Sequence, residues 1–368
     1  MKILQVSKLY YPWVGGVEKH VKDLVDGIKE QVAVEVLACQ PKGKECREEV
    51  DGVLVTRAGS IGIYLGMPLS FSFPRLLRES AKKADILHFH SPFPLGEISL
   101  LLFGFRNKKV VVTYHSDIVR QKFWLRFYRP FLQRFLRRAD CIIVTSQNLL
   151  DSSPFLQPQK KKCHIVPLGI DIEEFKNRQT GKVEFLNQAN KKIVLFVGRL
   201  VSYKGLEFLL KAMRDVDALL LIVGEGPLRE QLESLVKTLR LESRAVFLGK
   251  LSDEELKYCY EICDVFVLPS VERTEAFGIV QLEAMLAGKP VVNTDLPTGV
   301  PFVSTHQETG FTVPPRDAKA LSVALNTLLG NEKLADAFGR NAVDRVRLLF
   351  SKETMIKRIL EIYEEVLS

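Results

Sequence analysis

Residues 264–294 read DVFVLPSVERTEAFGIVQLEAMLAGKPVVNT, an apolar strand, a glycine-containing turn, a helix and a second apolar strand. The helix is expected to open near Gly278, so that free N–H groups and the positive end of the helix dipole face the sheet edge. Glu275 and Glu283 lie eight residues apart across this turn. The segment therefore predicts a site for a ligand with both phosphate and hydroxyl groups, although acids are also common in first helical turns that bind nothing.

Short apolar strands of the same kind recur along the whole chain and alternate with amphipathic stretches. They read KILQVS, VAVEVLAC, VLVTRA, ILHFH, VVVTYH and CIIVTS in the first half, then KIVLFVGRL, ALLLIVG, AVFLGK, DVFVLPS and PVVNT in the second. Continuous apolar strands separated by helices indicate parallel sheets covered on both faces. The sequence thus predicts an α/β protein of two doubly wound, Rossmann-like domains that face a central cleft, where the carboxyl ends of the strands hold ligands.

The length of 368 residues also favours two domains. The strand pattern is interrupted at residues 171–191, which are polar, charged and without periodicity. We expect an N-terminal domain over 1–172, a linker over 173–190 and a C-terminal domain over 191–350. Residues 351–368 are expected to form a helix that packs back towards the N-terminal domain.

The composition is that of a folded protein, with 46% hydrophobic and 26% charged residues, and it excludes wholesale disorder. A net charge of +8 is compatible with anionic substrates, a phospholipid surface or nucleic acid and does not choose among them. The start, MKILQVSKLYYPW, is expected to be a first strand rather than a secretory leader, and no apolar run is long enough to predict a membrane-spanning helix. Its six cysteines form no CxxC pair, which favours free thiols.

Two cations follow the first strand of the second half, where KIVLFVGRL runs into VSYKGLEFLLKAM. Arg199 follows Gly198, and Lys204 precedes Gly205. The planar guanidinium of one and the ammonium point charge of the other are therefore expected in the same loop, just after the strand. Such a pair can neutralise a diphosphate and stabilise the charge on a departing one. The alternative is that both are ordinary solvated loop cations.

GEGP, residues 224–227, closes the next strand in a turn that can pass close to a nucleobase. It is not a dinucleotide fingerprint, because Arg229 stands where the third glycine is required. This difference argues against a nicotinamide-dependent oxidoreductase.

Histidines and glycines mark strand ends in the first half. Gly15 and Gly16 precede a helix and allow a ligand close to the backbone, although an ordinary βα turn would have the same sequence. His115 ends the strand VVVTYH, where a neutral imidazole can hydrogen-bond a sugar hydroxyl. His88 and His90 share one face of another strand, but no further Cys or His at ligand spacing accompanies them, so no metal site is expected.

The motifs GRLVSYKG (198–205), GEGP (224–227), EAFGIVQLE (275–283) and ETGFTVPP (308–315) occur in this order and resemble those of the retaining GT-B glycosyltransferases of family 4. The resemblance covers nearly the whole chain and implies the GT-B fold. It implies that Arg199 and Lys204 contact a donor diphosphate, that Glu283 takes the ribose hydroxyls and that Glu275 takes hydroxyls of the donor sugar. The further donor-side residues that it implies are Gly15, Gly16, Gly198, Gly224, Glu225, Phe277, Gly278 and Ile279.

The same resemblance places His115 beside the donor sugar, as a fourth catalytic residue with Arg199, Lys204 and Glu275. It also places Glu18 and His20 on the acceptor side.

The sequence therefore predicts a hexosyltransferase that acts on a nucleotide-diphosphate sugar and a glycan or lipid-linked hydroxyl acceptor, with retention of configuration. Neither a metal ion nor a cofactor is expected, because the cations and the helix start near Gly278 can meet the leaving charge. No nucleic-acid partner is expected. The stretch NTDLPTGVPFVS (293–304) is similar to that of bacterial surface-polysaccharide mannosyltransferases. It favours GDP-mannose as the donor, with UDP-glucose, UDP-galactose and UDP-N-acetylglucosamine left open.

Two other function classes share this architecture. A nucleotide-sugar epimerase would turn over the donor without an acceptor, and a non-catalytic protein would bind the sugar nucleotide without transfer. Sequence alone does not distinguish a binding protein from an enzyme.

Residues 120–140, RQKFWLRFYRPFLQRFLRRAD, combine an aromatic stripe with the arginines Arg126, Arg129, Arg134, Arg137 and Arg138. The stripe consists of Phe123, Trp124, Phe127, Phe131 and Phe135. An amphipathic cationic helix suits an anionic membrane surface, but a helix with its aromatics on the sheet and its arginines in water has the same pattern. A cytoplasmic protein with peripheral contact to the inner face of the cell membrane through 120–138 is the resulting expectation.

Overall fold

A computed structural model describes residues 1–13, 15–118, 122–177 and 191–368 of the protein. The chain divides into two compact units. Met1–Gly169 and Lys352–Ser368 form the N-terminal unit, and Ile170–Ser351 forms the C-terminal unit. The chain therefore returns to the first unit after completing the second. The segment expected as a linker begins inside a helix of the C-terminal unit, Ile172–Asn177, and its residues 178–190 lie outside the described residues.

The N-terminal unit contains ten strands and six α-helices among its described residues. The strands are β1 (Lys2–Val6), β2 (Ala33–Cys39), β3 (Cys46–Val50), β4 (Val53–Ala58), β5 (Ile63–Tyr64), β6 (Met67–Pro68), β7 (Ile86–Ser91), β8 (Lys109–Tyr114), β9 (Cys141–Val144) and β10 (Cys163–Ile165). The helices are α1 (Gly16–Ile28), α2 (Phe73–Ala81), α3 (Pro94–Phe103), α4 (Lys122–Arg138), α5 (Gln147–Ser152) and, at the end of the chain, α14 (Lys352–Leu367).

Eight of these strands form one sheet in the order β10-β9-β8-β7-β1-β2-β4-β3. Its neighbours are parallel except β3, which pairs antiparallel with β4 at one edge. The short hairpin of β5 and β6 stands apart from the sheet. The sequence did not predict β3, because CREEV is charged and mostly exposed, as suits an edge strand.

Helices cover both faces of this sheet. One face carries a core that includes Phe73 and Leu77 of α2, Leu100 of α3 and Phe135 of α4. The other face packs on α1 and on α14, whose Ile359 and Tyr363 are fully buried. The C-terminal helix is thus part of the N-terminal unit's core.

The C-terminal unit contains a second parallel sheet. Its strands are β11 (Ile193–Val197), β12 (Leu219–Val223), β13 (Ala245–Gly249), β14 (Val265–Leu268), β15 (Val291–Thr294) and β16 (Gly310–Val313). Its helices are α6 (Ile172–Asn177), α7 (Leu206–Ala212), α8 (Arg229–Thr238), α9 (Asp253–Ile262), α10 (Val280–Leu286), α11 (Val300–Val303), α12 (Ala318–Leu329) and α13 (Glu332–Leu349). The strand order is β13-β12-β11-β14-β15-β16, and every pair is parallel.

Each sheet has a point at which the strand order reverses. In the C-terminal unit the chain proceeds outwards from β11 in one direction and from β14 in the other, and in the N-terminal unit the same happens at β1 and β7. The loops that leave the carboxyl ends of such neighbouring strands diverge and leave a crevice for a ligand. The motifs of the sequence analysis follow β11, β14, β1 and β8, so the topology gathers them at these edges.

Candidate active site

Glycines bring three loops of the C-terminal unit into close contact. Gly198 follows β11 with φ +156° and Gly224 follows β12 with φ +121°. A Cβ added to Gly224 would lie 2.2 Å from the carbonyl oxygen of Gly198, and one added to Gly205 would lie 2.0 Å from that of Pro269. Any side chain at these positions would push the loops apart, so the backbone packing of the site requires glycine.

Lys204 and Glu275 form an ion pair at this edge. The distance from Lys204 Nζ to Glu275 Oε2 is 2.6 Å, and the two side chains are 9% and 10% exposed. Ser270, at the end of β14, donates from its hydroxyl to the same carboxylate oxygen at 2.9 Å. Burying two charges costs free energy that their attraction only partly offsets. Such a pair is therefore typical of a site that uses the charges.

The loop before α10 presents backbone amides. Gly278 has φ +76°, and within the described residues neither Gly278 nor Ile279 donates its N–H to a backbone carbonyl. A Cβ on Gly278 would lie 2.6 Å from Leu268 Cδ2 and 2.8 Å from Gln281 Nε2. The loop is held against the sheet by its glycine, with amide donors at the start of a helix, where an anion is favoured.

A buried amide network fixes this loop from behind. Asn293 Nδ2 donates to Gln281 Oε1 at 2.9 Å and to the carbonyl oxygens of Val300 and Ser304 at 3.1 Å. The N–H of Gly299 donates to the carbonyl of Ala276 at 2.7 Å. The stretch around Gly299 thus supports the loop that carries Phe277 and Gly278.

Glu283 is held by Tyr260 of α9. The Tyr260 hydroxyl donates to Glu283 Oε2 at 2.8 Å, and both side chains are buried. Burial, followed by the charge of Glu283, raises the pKa of Tyr260 well above its ordinary value. The hydroxyl therefore keeps its proton and remains a donor, which leaves Oε1 of the carboxylate for another partner.

Arg199 and Glu225 are exposed on the loops after β11 and β12. The structure therefore brings Lys204, Glu275 and the glycines into direct contact and leaves the side chains of Arg199 and Glu225 exposed at the same sheet edge.

A cluster of histidines occupies the corresponding edge of the N-terminal unit. His115 follows β8 and is 6% exposed, and its Nε2 lies 3.1 Å from Nδ1 of His90. His20 of α1 lies against both, with ring centroids 5.6 Å from His90 and 5.2 Å from His115. His88 lies beside His90 on β7, with centroids 4.6 Å apart. His115 is therefore a member of a buried cluster rather than an exposed loop residue.

The expectation that nothing accompanies His88 and His90 is wrong. The ligand nitrogens of His20, His90 and His115 lie within 4.8 Å of one another, a set of donors that a metal ion could use. Sequence spacing could not predict this cluster, because its members come from three elements far apart in the chain.

All four rings are uncharged at neutral pH. Burial lowers the pKa of His20 to about 4 and that of His88 to about 3, and it lowers the pKa values of His90 and His115 well below the ordinary value. Each ring therefore offers one donor and one acceptor nitrogen.

The glycine loop of this unit caps α1. Gly15 occupies the N-cap position, and a Cβ there would lie 2.3 Å from Glu18 Oε2. Glycine therefore lets the Glu18 carboxylate fold back over the helix start. Glu18 is buried, and its Oε1 has no hydrogen-bond partner among the described residues. Gly16 opens the helix with free space around its Cα.

The sequence analysis missed the residues that hold the site residues in place. They are Ser270, Tyr260, Gln281 and Asn293 in the C-terminal unit and Gln5 and Tyr363 in the N-terminal unit. A polar residue inside an otherwise apolar strand, such as Gln5 in KILQV or Asn293 in VVNT, is the signal that could have revealed two of them.

Two family models match the chain. The model described as Glycosyltransferase Family 4 matches residues 14–174, and the model described as Glycosyl transferases group 1 matches residues 177–345. The Escherichia coli O-antigen chain mannosyltransferase C is 31% identical over 100% of this chain and 99% of its own length. The Pseudomonas aeruginosa D-rhamnosyltransferase WbpZ is 37% identical over 77% of this chain and 74% of its own.

Solved structures show the same fold. The sucrose-phosphate synthase of Thermosynechococcus elongatus has a TM-score of 0.82 at 23% identity and covers 100% of this chain and 99% of its own. Anabaena HepE, solved in complex with UDP, has a TM-score of 0.78 at 22% identity and covers 99% of this chain and 100% of its own. The predicted GT-B architecture is confirmed.

Proposed function

Since the chain belongs to glycosyltransferase family 4, we propose that it is a retaining enzyme that moves a hexose from a nucleotide-diphosphate sugar to a hydroxyl of a glycan or lipid-linked acceptor. GDP-mannose is the leading donor. The full-length similarity to an O-antigen mannosyltransferase supports this choice, as does the stretch around Gly299.

The observation that carries the proposal is the buried Lys204–Glu275 pair beside the glycine-held loops of the C-terminal unit. We assign Lys204 and the exposed Arg199 to the donor diphosphate, because a cation at 2.6 Å from a carboxylate can turn to a phosphate oxygen of higher charge. The freed Glu275 carboxylate then accepts hydroxyls of the sugar. The amides of Phe277, Gly278 and Ile279 are assigned to the phosphate and sugar.

Glu283 is assigned to the ribose hydroxyls. Tyr260 already occupies one of its oxygens, so the other is oriented for a ligand. Gly198, Gly224 and Glu225 complete the donor side, with the GEGP turn next to the nucleobase.

The proposed chemistry uses the charges of these groups. Negative charge that develops on the leaving diphosphate is met by Lys204, Arg199 and the start of α10, and no metal ion is required. The departing phosphate deprotonates the acceptor hydroxyl on the same face, which gives retention.

The N-terminal unit is proposed to supply hydrogen bonds from its histidines, its glycine loop and Glu18. His115 forms a hydrogen bond with a hydroxyl of the donor sugar. The loop of Gly15 and Gly16 is assigned to the phosphate. Glu18 and His20 are assigned to the acceptor side.

Thermal-shift screening against GDP-mannose and the three UDP sugars tests the donor, because a ligand raises stability with the logarithm of its concentration over its dissociation constant. Transfer to an acceptor, with the anomeric configuration of the product read by NMR, tests the reaction. Donor turnover without an acceptor would instead identify an epimerase. A thermal shift without any transfer across an acceptor panel would identify a binding protein.

Peripheral membrane contact is a further part of this proposal. In α4, Phe135 is buried in the core, but Phe127 and Phe131 are 61% and 42% exposed beside exposed arginines. The β5–β6 hairpin also exposes Tyr64 and Leu65. Phe123 and Trp124 lie where the structure describes no side chains. None of the described helices is both long and apolar enough to cross a bilayer.

Vesicle sedimentation tests this contact. The protein should bind vesicles that contain anionic lipid, and Phe127→Ser with Phe131→Ser should weaken that binding several-fold, by the loss of buried apolar area. Binding that is independent of both lipid charge and these residues would remove the membrane from the proposal.

A further inference from the structure

The histidine cluster of the N-terminal unit continues to the C-terminal helix through a chain of buried hydrogen bonds. His90 Nε2 lies 2.9 Å from Gln5 Oε1, and Gln5 Nε2 donates to the Tyr363 hydroxyl of α14 at 2.9 Å. The same hydroxyl lies 2.6 Å from His88 Nδ1. Every member of this chain is fully or almost fully buried, so water does not compete with these bonds.

The direction of each bond in this chain follows from the orientation of the Gln5 amide, which places Oε1 against His90 and Nε2 against Tyr363. Gln5 Oε1 can only accept, so His90 carries its proton on Nε2. His90 is neutral, which leaves its Nδ1 without a proton. The neighbouring nitrogen, His115 Nε2 at 3.1 Å, must then be the donor. His115 is therefore the Nε2–H tautomer, and its Nδ1 is an acceptor.

With Nε2 of the Gln5 amide against Tyr363, the direction of the bonds on this side of the chain follows as well. The hydroxyl accepts from Gln5 Nε2 and, because burial raises the pKa of Tyr363, it keeps its own proton to donate to His88 Nδ1. His88 Nε2–H completes the chain on the hydroxyl of Thr113, at 2.8 Å. If the amide were flipped, Gln5 Nε2, a donor, would face His90. His90 would then carry its proton on Nδ1 and donate to His115, which would be protonated on Nδ1.

We propose that Tyr363, acting through Gln5 and His90, is a positioning residue that holds His115 as the Nε2–H tautomer, so that its Nδ1 accepts a hydroxyl hydrogen of the transferred sugar. The part that concerns the sugar rests on the proposed function. The part that concerns the tautomer does not.

Tyr363→Phe is the central variant, because it removes one hydroxyl and keeps the ring in the core. Long-range ¹H–¹⁵N spectra of histidine-labelled protein report which nitrogen of each ring carries the proton. In the wild type His90 and His115 should each show one tautomer, protonated on Nε2, and in Tyr363→Phe each should show a mixture. The kcat of transfer should fall about tenfold, as for the loss of one buried hydrogen bond, with the donor KM changed less than about twofold.

Tyr10→Phe is the matched control. Tyr10 is equally buried in the same unit, but its hydroxyl has no hydrogen-bond partner among the described residues. This variant should leave the histidine spectra and kcat unchanged. In a His115→Gln background, Tyr363→Phe should cause no further loss of kcat, because it acts through His115.

Three results would overturn the inference. One is a wild-type His115 protonated on Nδ1, and another is a single, unchanged tautomer in Tyr363→Phe. The third is a stoichiometric zinc ion, removed by chelator with a shift of the His20, His90 and His115 signals, because a metal-bound nitrogen carries no proton. The predicted tautomers with an unchanged kcat would support the relay and count against the proposed role of His115 in transfer.

Discussion

At the carboxyl edge of its sheet, each unit buries a different kind of polar group, an ion pair in the C-terminal unit and a cluster of neutral histidines in the N-terminal unit. The C-terminal unit holds a charged pair, Lys204 and Glu275, 2.6 Å apart. The N-terminal unit holds four neutral imidazoles, which burial keeps unprotonated. A buried charge needs a partner or a ligand of opposite charge, whereas a neutral ring needs only hydrogen bonds. The difference supports the proposed assignment, in which the C-terminal unit would bind the anionic part of a donor and the N-terminal unit would contact hydroxyl groups.

The largest expected effect is at Lys204. Lys204→Met should lower kcat/KM about 10²–10³-fold, since it removes a cation from the leaving group. The substitution also leaves the buried Glu275 carboxylate without its cation, which lowers the free energy of unfolding by about 3–5 kcal/mol. Steady-state kinetics and urea unfolding measure the two losses.

The control for Lys204 is Lys257, an equally buried lysine of the same unit. Lys257 donates to the carbonyl of Lys176 at 2.9 Å and pairs with Glu261 rather than with Glu275, so Lys257→Met should change kcat/KM less than about twofold. The double variant Lys204→Met with Glu275→Leu should regain stability and stay inactive. Activity in that double variant would show that the two charges serve folding alone. The proposed difference in role between the two units would then be wrong.

The next effect concerns acid stability of the N-terminal unit. The pKa values of His20 and His88 are about 4 and about 3 in the folded protein, against 6.5 for an ordinary histidine. Between pH 6.5 and 4 the unfolded chain therefore binds protons that the folded chain does not, so stability is complete above pH 6.5 and is lost as the pH falls. Each ring contributes about 1.4 kcal/mol per pH unit.

One buried carboxyl opposes this trend. Burial raises the pKa of Glu97 to about 7, so the folded chain binds a proton there between pH 7 and 4.5 and gains stability as the pH falls. A single carboxyl cannot cancel four rings, and the net stability should decrease towards acid.

Tryptophan fluorescence can follow this loss, because Trp13 and Trp124 both belong to the N-terminal unit. His20→Gln should flatten the dependence of the urea midpoint on pH, and His164→Gln, at a half-buried position on β10, should not. An unaltered slope in His20→Gln would mean that the cluster is protonated when folded, which would remove the contrast between the units.

Sequence alone could predict the strands and the edge at which the site lies. Continuous apolar runs such as IVLFV and VFVL are typical of strands in a buried parallel sheet. The residues that follow them then lie at the carboxyl edge of that sheet. The positions of Lys204, Glu275 and His115 follow from this rule. The edge strand β3 was missed because an exposed strand needs no apolar residues.

Contacts between elements could not be predicted in this way. Tyr260 and Glu283 meet across two helices, and Tyr363 reaches Gln5 from the other end of the chain. Each of these pairs depends on how helices pack on a sheet, which the periodicity of one segment does not specify. The supporting residues of a site are therefore less visible in sequence than the residues they support.

The smallest effect is expected at Tyr260. It tests how a buried carboxylate of the C-terminal unit, Glu283, is held by a hydroxyl instead of a cation. Tyr260→Phe removes the hydroxyl that donates to Glu283 at 2.8 Å, so the donor KM should rise about three- to tenfold, the cost of one buried hydrogen bond, with kcat little changed. Tyr258→Phe, on the same helix and half-buried, should alter neither. If instead kcat falls and KM stays constant, Glu283 acts in the transition state rather than in donor binding. Its assignment to the ribose would then be wrong.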